Sequence, residues 1–438
     1  MTSQSNSDRM RVLIVGGGGR EHAIAVAVLK SKRPVEVYVA PGNAGTATIA
    51  RNLPVDTSDI SAVSELAEEI QADLVVIGPE VPLVLGLADV LTERGIPSVG
   101  PSAAAARLEG SKAFAKQFME RHRIPTASFR VYAATEYEQA RAHILSGPER
   151  LVVKASGLAA GKGAIVCESR RDGIEALDLI ARDAAFGKAG DEVVVEEYMV
   201  GEEASVFALC DGSDYVLLST AQDHKQVGEG DTGLNTGGMG AYAPAPVMTD
   251  EMMRAVEDQI VRPTIRGMAE DGSPFSGFLY VGLMITQSGP RVVEYNCRLG
   301  DPEAQVVLPL LRTDVVDLLR DSALGTLAGR APEFHGGSAA CVVVCSEGYP
   351  GPYRKGCIVD GLAEAEAVPG VTVLHAGTAL RDGDVVTSGG RVLGVTAVGP
   401  DLRRALDAAY SAAKRISFEG AFYRKDIGEK GLRRFGAT

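Results

Sequence analysis

From Arg11 onward the chain switches its hydrophobic period every ten residues or so. Short apolar runs alternate with stretches of helical spacing: RVLIVG, EHAIAVAVLKS, VEVYVAPGNAG, SAVSELAEEIQ, ADLVVIGPE, VPLVLGLADVLTERG and IPSVGPS. Apolar runs this short are strands buried on both faces, and a helix between two of them makes the pair parallel. The first hundred residues are therefore committed to α/β structure, a doubly wound parallel sheet that presents ligands at the carboxyl ends of its strands.

A different regime begins at SKAFAKQFMERHRIPTASF, with a helix followed by mixed strands as far as residue 324. Residues 202–218 and 275–297 read as antiparallel hairpins. From GGSAACVVVC at 336 the remainder is strands with one late helix, DLRRALDAAYSAAKRI. Three domains are expected: an N-terminal doubly wound parallel-sheet domain (1–110), a central domain with antiparallel sheets (111–328) and a small mixed C-terminal domain (329–438).

Charge and cysteine content exclude several classes. A net charge of −13 argues against a nucleic-acid surface. No apolar run approaches membrane-spanning length, and no secretory leader is recognisable, so a cytoplasmic protein with reduced thiols is expected. The six cysteines (Cys167, Cys210, Cys297, Cys341, Cys345 and Cys357) lack zinc-type pairing and read as buried thiols.

The first strand runs into GGGGREHA, which invites a dinucleotide-binding reading. That fingerprint needs glycines at its first, third and sixth positions. Counted from Gly16 the sixth residue is Glu21, and from Gly17 it is His22, so both registers fail. The acidic residue expected after the second strand is replaced by Pro41, Gly42 and Asn43. What remains is an anion cradle, with glycine amides at a helix N-terminus beside Arg20, or a glycine corner needed only for strand–helix packing. The turn Gly78, Pro79 and Glu80 lies on the same sheet edge, and Glu80 suits ribose hydroxyls or plain solvent.

A second glycine loop, LVVKASGLAAGKGAIVC (151–167), is not a Walker A loop: three residues separate Gly157 from Gly161, and Gly163 follows Lys162. A glycine-rich hairpin can still fold over a triphosphate, its amides and Lys162 meeting the phosphates while Lys154 reaches them from the incoming strand. In DEVVVEEYMVGEEAS a strand ends in Glu196 and Glu197, where a hinge can read adenine and Glu203 can take ribose hydroxyls. In GFLYVGLMITQSGPRVVEYNCRLGDPE strand alternation puts Glu294, Asn296 and Arg298 on one face. A carboxylate, an amide oxygen and a guanidinium so aligned suit a hard cation and phosphate. The stretch TAQDHKQVGEGDTGLNTGGMGAYAPAP (220–246) has no period of its own and reads as a long substrate-gripping loop carrying Asp223, His224, Lys225 and Asn235.

Taken in order, GGGGREHA, APGNAG, GPE, LEGSKAF, KASGLAAGKG, EEYMVGEEAS, QDHKQVGEGDTGLNTGGMGAY, GFLYVGLMI, EYNCRLGDPE, GYPGPYRKG and HAGT closely resemble the glycinamide ribonucleotide synthetases. These are ATP-grasp ligases of purine biosynthesis, and the resemblance spans residue 10 to the C-terminus. It implies a central ATP-grasp domain and the ligation of glycine to 5-phosphoribosylamine, with ATP as co-substrate, Mg²⁺ or Mn²⁺ as metal, and a monomer binding neither nucleic acid nor membrane. By position it assigns Lys112, Lys154, Ser156, Gly157, Gly161, Lys162, Gly163, Glu196, Glu197, Tyr198 and Glu203 to ATP, and Glu294 and Asn296 to the metal. Gly18, Gly19, Arg20, Glu21, Gly42, Asn43, Gly78, Pro79 and Glu80 fall to the phosphoribosylamine side. Asp223, Lys225 and Arg298, with Lys154, fall to catalysis and substrate handling. Ser156 stands where the family usually carries Asp. Rival readings are another ATP-grasp carboxylate ligase, which leaves the 220–246 loop unexplained, a nicotinamide oxidoreductase, and a nucleotide sensor without catalysis.

Overall fold

The computed structural model describes residues 9–159, 162–183 and 185–435. Its first sheet holds β1 (Met10–Gly16), β2 (Val35–Pro41), β3 (Arg51–Asn52), β4 (Leu74–Ile77) and β5 (Ser98–Val99), all parallel in the order β3-β2-β1-β4-β5. The chain winds outward from β1 in one direction and from β4 in the other. The topological switch therefore falls between those two strands, at Gly16 and Gly78. Strand β3, only two residues long, is not legible in the sequence. The helix expected over VPLVLGLADVLTERG divides into Glu80–Val84 and Leu87–Glu93, because Gly86 adopts a left-handed φ of 91° that ends one helix and starts the next.

The central region is antiparallel. β6 (Phe129–Ala133), β7 (Leu151–Ala155), β8 (Ala164–Cys167) and β9 (Glu192–Glu197) form one sheet in the order β6-β9-β7-β8. The expected 220–246 loop is instead a set of short strands: after β10 (Glu202–Asp211) and β11 (Tyr215–Leu217) come β12 (Gln222–Asp223), β13 (Gln226–Gly228), β14 (Thr232–Asn235) and β15 (Gly240–Ala243). β13 and β14 pair as a hairpin of their own. β16 (Ser276–Thr286) and β17 (Gly289–Asn296) complete a sheet ordered β11-β10-β16-β17. β17 is its edge strand, which is where Pro290 can sit without breaking a ladder.

In the C-terminal part, β18 (Ser338–Ser346) and β22 (Arg391–Gly399) are the long central strands, with β19 (Val371–His375) beside them and β23 (Ala421–Phe422) on the end of β18. β20 (Thr378–Arg381) and β21 (Asp384–Thr387) form a separate ribbon. The sheet order, β12-β15-β18-β22-β19, crosses the region boundary: β15 pairs with β18, so residues 222–243 complete the C-terminal sheet.

The core follows from this layering. β1 is buried on both faces: Val12 and Ile14 share a core with Ala25 and Val28 of the helix Gly19–Leu29, while Leu13 and Val15 share another with Val63, Leu87 and Leu91 of the helices Ile60–Glu69 and Leu87–Glu93. A smaller core under β7 and β9 supports the second glycine loop. All six cysteines are free and buried. Among the described residues no helix is long and apolar enough to cross a membrane.

Candidate active site

At the end of β1 the glycine corner is occupied by the protein itself. Glu21, on the first turn of the helix Gly19–Leu29, reaches back and accepts the Gly18 N–H at 2.6 Å, as a carboxylate in a helix's first turn does. The same carboxylate takes Arg20 Nε at 2.6 Å, and Arg20 Nη1 donates to the Leu299 carbonyl at 3.1 Å. The Arg20 amide donates to Asp301 at 3.3 Å. A Cβ on Gly16 (φ 122°) would stand 2.6 Å from the Glu21 side chain, and one on Gly78 would overlap its carboxylate. Gly17 and Gly42 touch backbone to backbone, while Gly19 lies against Gln305. The amides of Gly18 and Arg20 thus face internal carboxylates.

Asn43 is likewise engaged within the protein. Its amide donates to the carbonyls of Gly17 (3.0 Å) and His375 (2.8 Å), and its oxygen accepts the amides of Gly45 and Thr46. All four of its side-chain hydrogen-bonding positions hold the turn. Pro79 precedes the helix Glu80–Val84, where it orients Glu80 at the switch point.

Glu80 instead joins a guanidinium network. Arg298 Nε lies 3.4 Å from Glu80, and Arg298 Nη2 lies 2.8 Å from Glu109. Burial works against the Glu80 carboxylate, but Arg298 and Arg20 outweigh it and hold its pKa below the ordinary value. Glu109 is buried and pushed up, with Arg298 opposing; it also accepts the Cys297 amide at 2.6 Å. Sequence reasoning passed over Glu109, although it sits three residues before Lys112 in the quoted LEGSKAF.

The second site edge is built on the β7–β9 sheet. Lys154 Nζ lies 3.0 Å from Glu196 and donates to the Val293 carbonyl at 3.1 Å. That carbonyl is available because β17 is irregular there: the register between β16 and β17 shifts at Gly282/Leu283, leaving Val293 out of the ladder. Lys116, missed in the sequence, makes a second buried contact to Glu196 at 3.1 Å; burial, set against Glu196, pulls its pKa down to about 8. Its spacing of four from Lys112, one helical turn, is the signal that could have found it. Lys112 Nζ donates to the Gly157 carbonyl at 3.1 Å, and burial lowers its pKa against the pull of Glu294.

Ser156 holds the base of the loop. It is buried, its Oγ accepting the Ala113 amide at 3.1 Å and lying 3.2 Å from Ser111 Oγ, so it locks the loop to the helix Lys112–Arg121. Gly157 abuts Ala189 and Gly163 abuts Ala159, while Lys162 donates to the Pro350 carbonyl of the C-terminal part at 3.2 Å. Gly161 lies outside the described residues. Glu197 pairs with Arg291 and accepts the Ser128 amide, and Arg150 stacks 3.8 Å above the Tyr198 ring.

Between the two edges lies the polar face. Glu294 and Asn296 project from β17, and Arg298 Nη2 donates to Asn296 Oδ1 at 3.3 Å. Burial would raise the Glu294 carboxyl, but Lys225, Lys154, Lys112 and Arg298 together keep it ionised. Lys225 Nζ spans from Glu203 (3.0 Å) to Glu294 (3.7 Å). Asp223, next to β15, is pushed up to about 8 by burial, against Lys225 and reinforced by Glu303, Glu203 and Glu294. Glu303 and Arg391 carried no signal of their own in the sequence. Burial raises Glu303, and Arg391 reaches from β22 to the carbonyls of Gly237 (2.7 Å) and Asp301 (2.6 Å).

Three family models match in succession: the N domain of phosphoribosylglycinamide synthetase over residues 10–109, its ATP-grasp (A) domain over 110–304 and its C domain over 339–430. The chain belongs to the phosphoribosylglycinamide synthetase family. Phosphoribosylamine–glycine ligases of Chlorobaculum tepidum and Rhizobium meliloti are 52% and 49% identical to this family member, each across 97% of it and 100% and 99% of their own length. The crystal structure of phosphoribosylamine–glycine ligase from Thermotoga maritima is 34% identical, covers 95% of the chain and all of its own, and superposes with a TM-score of 0.81. A biotin carboxylase from Campylobacter jejuni, 15% identical, covers 95% of the chain and 94% of its own length with a TM-score of 0.72, a likeness of fold alone. The synthetase family and these neighbours bear out the expected ATP-grasp architecture.

Proposed function

We propose that this chain joins glycine to 5-phosphoribosylamine at the expense of ATP, giving glycinamide ribonucleotide, ADP and phosphate in purine biosynthesis. The observation that carries this reading is the face formed by Glu294, Asn296 and Arg298, set between Lys154 on one side and Lys225 on the other. It gathers cations around a place for transferred phosphate and offers no nucleophile–base pair. The full-length similarity to named ligases supports the choice of substrates.

In this reading a glycine carboxylate oxygen attacks the γ-phosphorus, the β–γ bond breaks and ADP leaves. The ribosylamine nitrogen then attacks the acyl carbon, loses a proton and expels phosphate. The chain's contribution is positioning and charge neutralisation. Lys112, Lys154, Lys162 and the 156–163 loop hold the triphosphate. Glu196, through its two lysines, fixes Lys154; Glu197 and Tyr198 frame the adenine, and Glu203 takes the ribose. Arg20, Glu80 and the turns after β1, β2 and β4 receive the phosphoribosylamine. Asp223, Lys225 and Arg298 handle glycine and the amine.

Glu294 and Asn296 fit a magnesium or manganese ion, since they are adjacent hard oxygen donors on one face and Glu294 is held ionised. Among the described residues no three or more acidic, histidine or cysteine side chains are arranged to hold a metal ion by themselves. Such an ion would neutralise phosphate charge. The reading includes a three-domain monomer, divided near residues 110 and 328, working in the cytoplasm.

The test is ADP release with freshly prepared phosphoribosylamine and glycine. ADP formation that depends on both substrates is expected; formation indifferent to either one rejects the proposal.

A further inference from the structure

We infer that Arg424, in the C-terminal segment, is a positioning residue for Lys225. The inference rests on the proposed role of Lys225 toward glycine. Arg424 is only 2% exposed, although it is a full cation more than 120 residues beyond the polar face in sequence. Four of its five N–H groups make hydrogen bonds. Nε and Nη2 grip Asp426 at 2.8 and 2.6 Å, and Nη1 donates to the Gln226 carbonyl at 2.9 Å and to Asp231 at 3.0 Å.

Those last two partners are the root and the tip of the β13–β14 hairpin. At the tip, Gly230 and Asp231 both have left-handed backbone, and Asp426 also accepts the Gly230 amide at 2.8 Å. At the root, Gln226 follows Lys225 directly. The hairpin has little apolar surface to hold it: Glu229, Gly230, Thr232, Gly233 and Leu234 are exposed, with Leu234 at 68%. A two-stranded ribbon of this kind is marginal by itself. Besides Val227, which packs on the core, its placement is set by directional bonds to the C-terminal segment: the buried Arg424 guanidinium, Lys430 at Asp231 and the Lys425 amide at Glu229.

Lys225 depends on that placement. Its carbonyl accepts both the amide and the hydroxyl of Thr236 at 2.8 Å, which ties it to the returning strand's end. Its ammonium must then span Glu203 and Glu294, 3.0 and 3.7 Å away. A shift of the hairpin root by an ångström would break one of these contacts.

A double-mutant cycle tests the coupling: Arg424→Met, Lys225→Met and the pair, assayed by ADP release with glycine and ATP varied in turn. Arg424→Met is expected to raise the glycine KM about tenfold, the scale of a small misplacement of a substrate-binding group, while the ATP KM stays within about twofold. The double variant is expected to be no worse than Lys225→Met alone, because Arg424 acts through that residue. Multiplying effects, or equal changes in both KM values, overturn the inference while leaving the glycine role of Lys225 standing. A Lys225→Met enzyme with unchanged glycine kinetics overturns that role and the inference with it. If Arg424→Met fails to fold, Arg424→Lys, which keeps the charge and loses the fork, is read by the same criteria.

Discussion

The molecule contains two glycine-rich corners, and they use the missing side chain in opposite ways. After β1, the glycines let the protein's own Glu21 carboxylate, and the backbone of Gly42, into a space that a methyl group would fill. After β7, a Cβ on Gly157 or Gly163 would crowd small uncharged neighbours, Ala189 at 2.7 Å and Ala159 at 2.6 Å, and Lys162 donates to the Pro350 carbonyl of the C-terminal part. The first corner is a closed joint among three parts of the chain; the second is a hairpin loop anchored at its base by Ser156, a cover for the triphosphate in the function proposed above. Glycine content alone does not distinguish a joint from a cover. What distinguishes them is whether a charged residue follows within a helical turn, as Glu21 does, and can fold back into the gap.

The contrast is most sharply tested by emptying the face beneath the cover. Glu294→Ala should lower kcat about 1000-fold or more, with the circular dichroism spectrum unchanged, since that carboxylate gathers charge and not core. Wild-type turnover in that variant would reject the assignment of the face. Paired methyl insertions come next. Gly78→Ala, which drives a methyl into the Glu21 carboxylate, should cost about 3 kcal/mol in urea denaturation. Gly163→Ala puts a methyl 2.6 Å from the Ala159 side chain, so the loop must shift to admit it; the loss should be smaller than at Gly78, about 1 kcal/mol, and the ATP KM should rise several-fold. Equal stability losses would erase the distinction between joint and cover.

Acid should strike the joint before the cover. His22 and His375 are buried beside the first corner, and burial depresses each pKa to about 4. His22 Nδ1 must stay unprotonated to accept the His375 amide at 2.8 Å. The unfolded chain therefore binds protons first, and the stability present above pH 6.5 is lost as pH falls toward 4. Between pH 6.5 and 5 the loss should be about 2 kcal/mol per histidine, read from urea midpoints. A flat profile would show that the corner opens to solvent. The smallest effect is expected at the cover's tip, where Lys162→Ala should raise the ATP KM two- to threefold, about 0.5 kcal/mol, as for other exposed polar contacts.

Periodicity carried the parallel sheet, the flap hairpin and the β16–β17 hairpin, because a strand of four to eleven residues leaves a long enough pattern to read. It failed where elements are short or where pairing is remote. Two-residue β3 and β12 have no period, and nothing in QDHKQ reveals that its partner strands lie beyond residue 240. The site divides likewise. Glu294, Asn296 and Arg298 were legible because strand alternation aligns them, and Lys154 because it ends a strand. Glu109, Lys116, Glu303 and Arg391 join the site through tertiary packing. Asn43 and Ser156, motif residues both, turn inward to satisfy backbone and helix-end groups that the sequence cannot count.

The sheet that crosses from β15 to β18 has a consequence for how the chain is made. Gly240–Ala243 leaves the ribosome about a hundred residues before Ser338–Ser346, its partner, and must wait with an unpaired edge while the intervening hairpin folds. Lys225 and Asp223, carried on that waiting segment, come to their final places only when the last quarter of the protein has been synthesised. A nascent chain stalled before β18 would carry the β7–β9 sheet and its glycine loop in full and yet leave β15 without its partner.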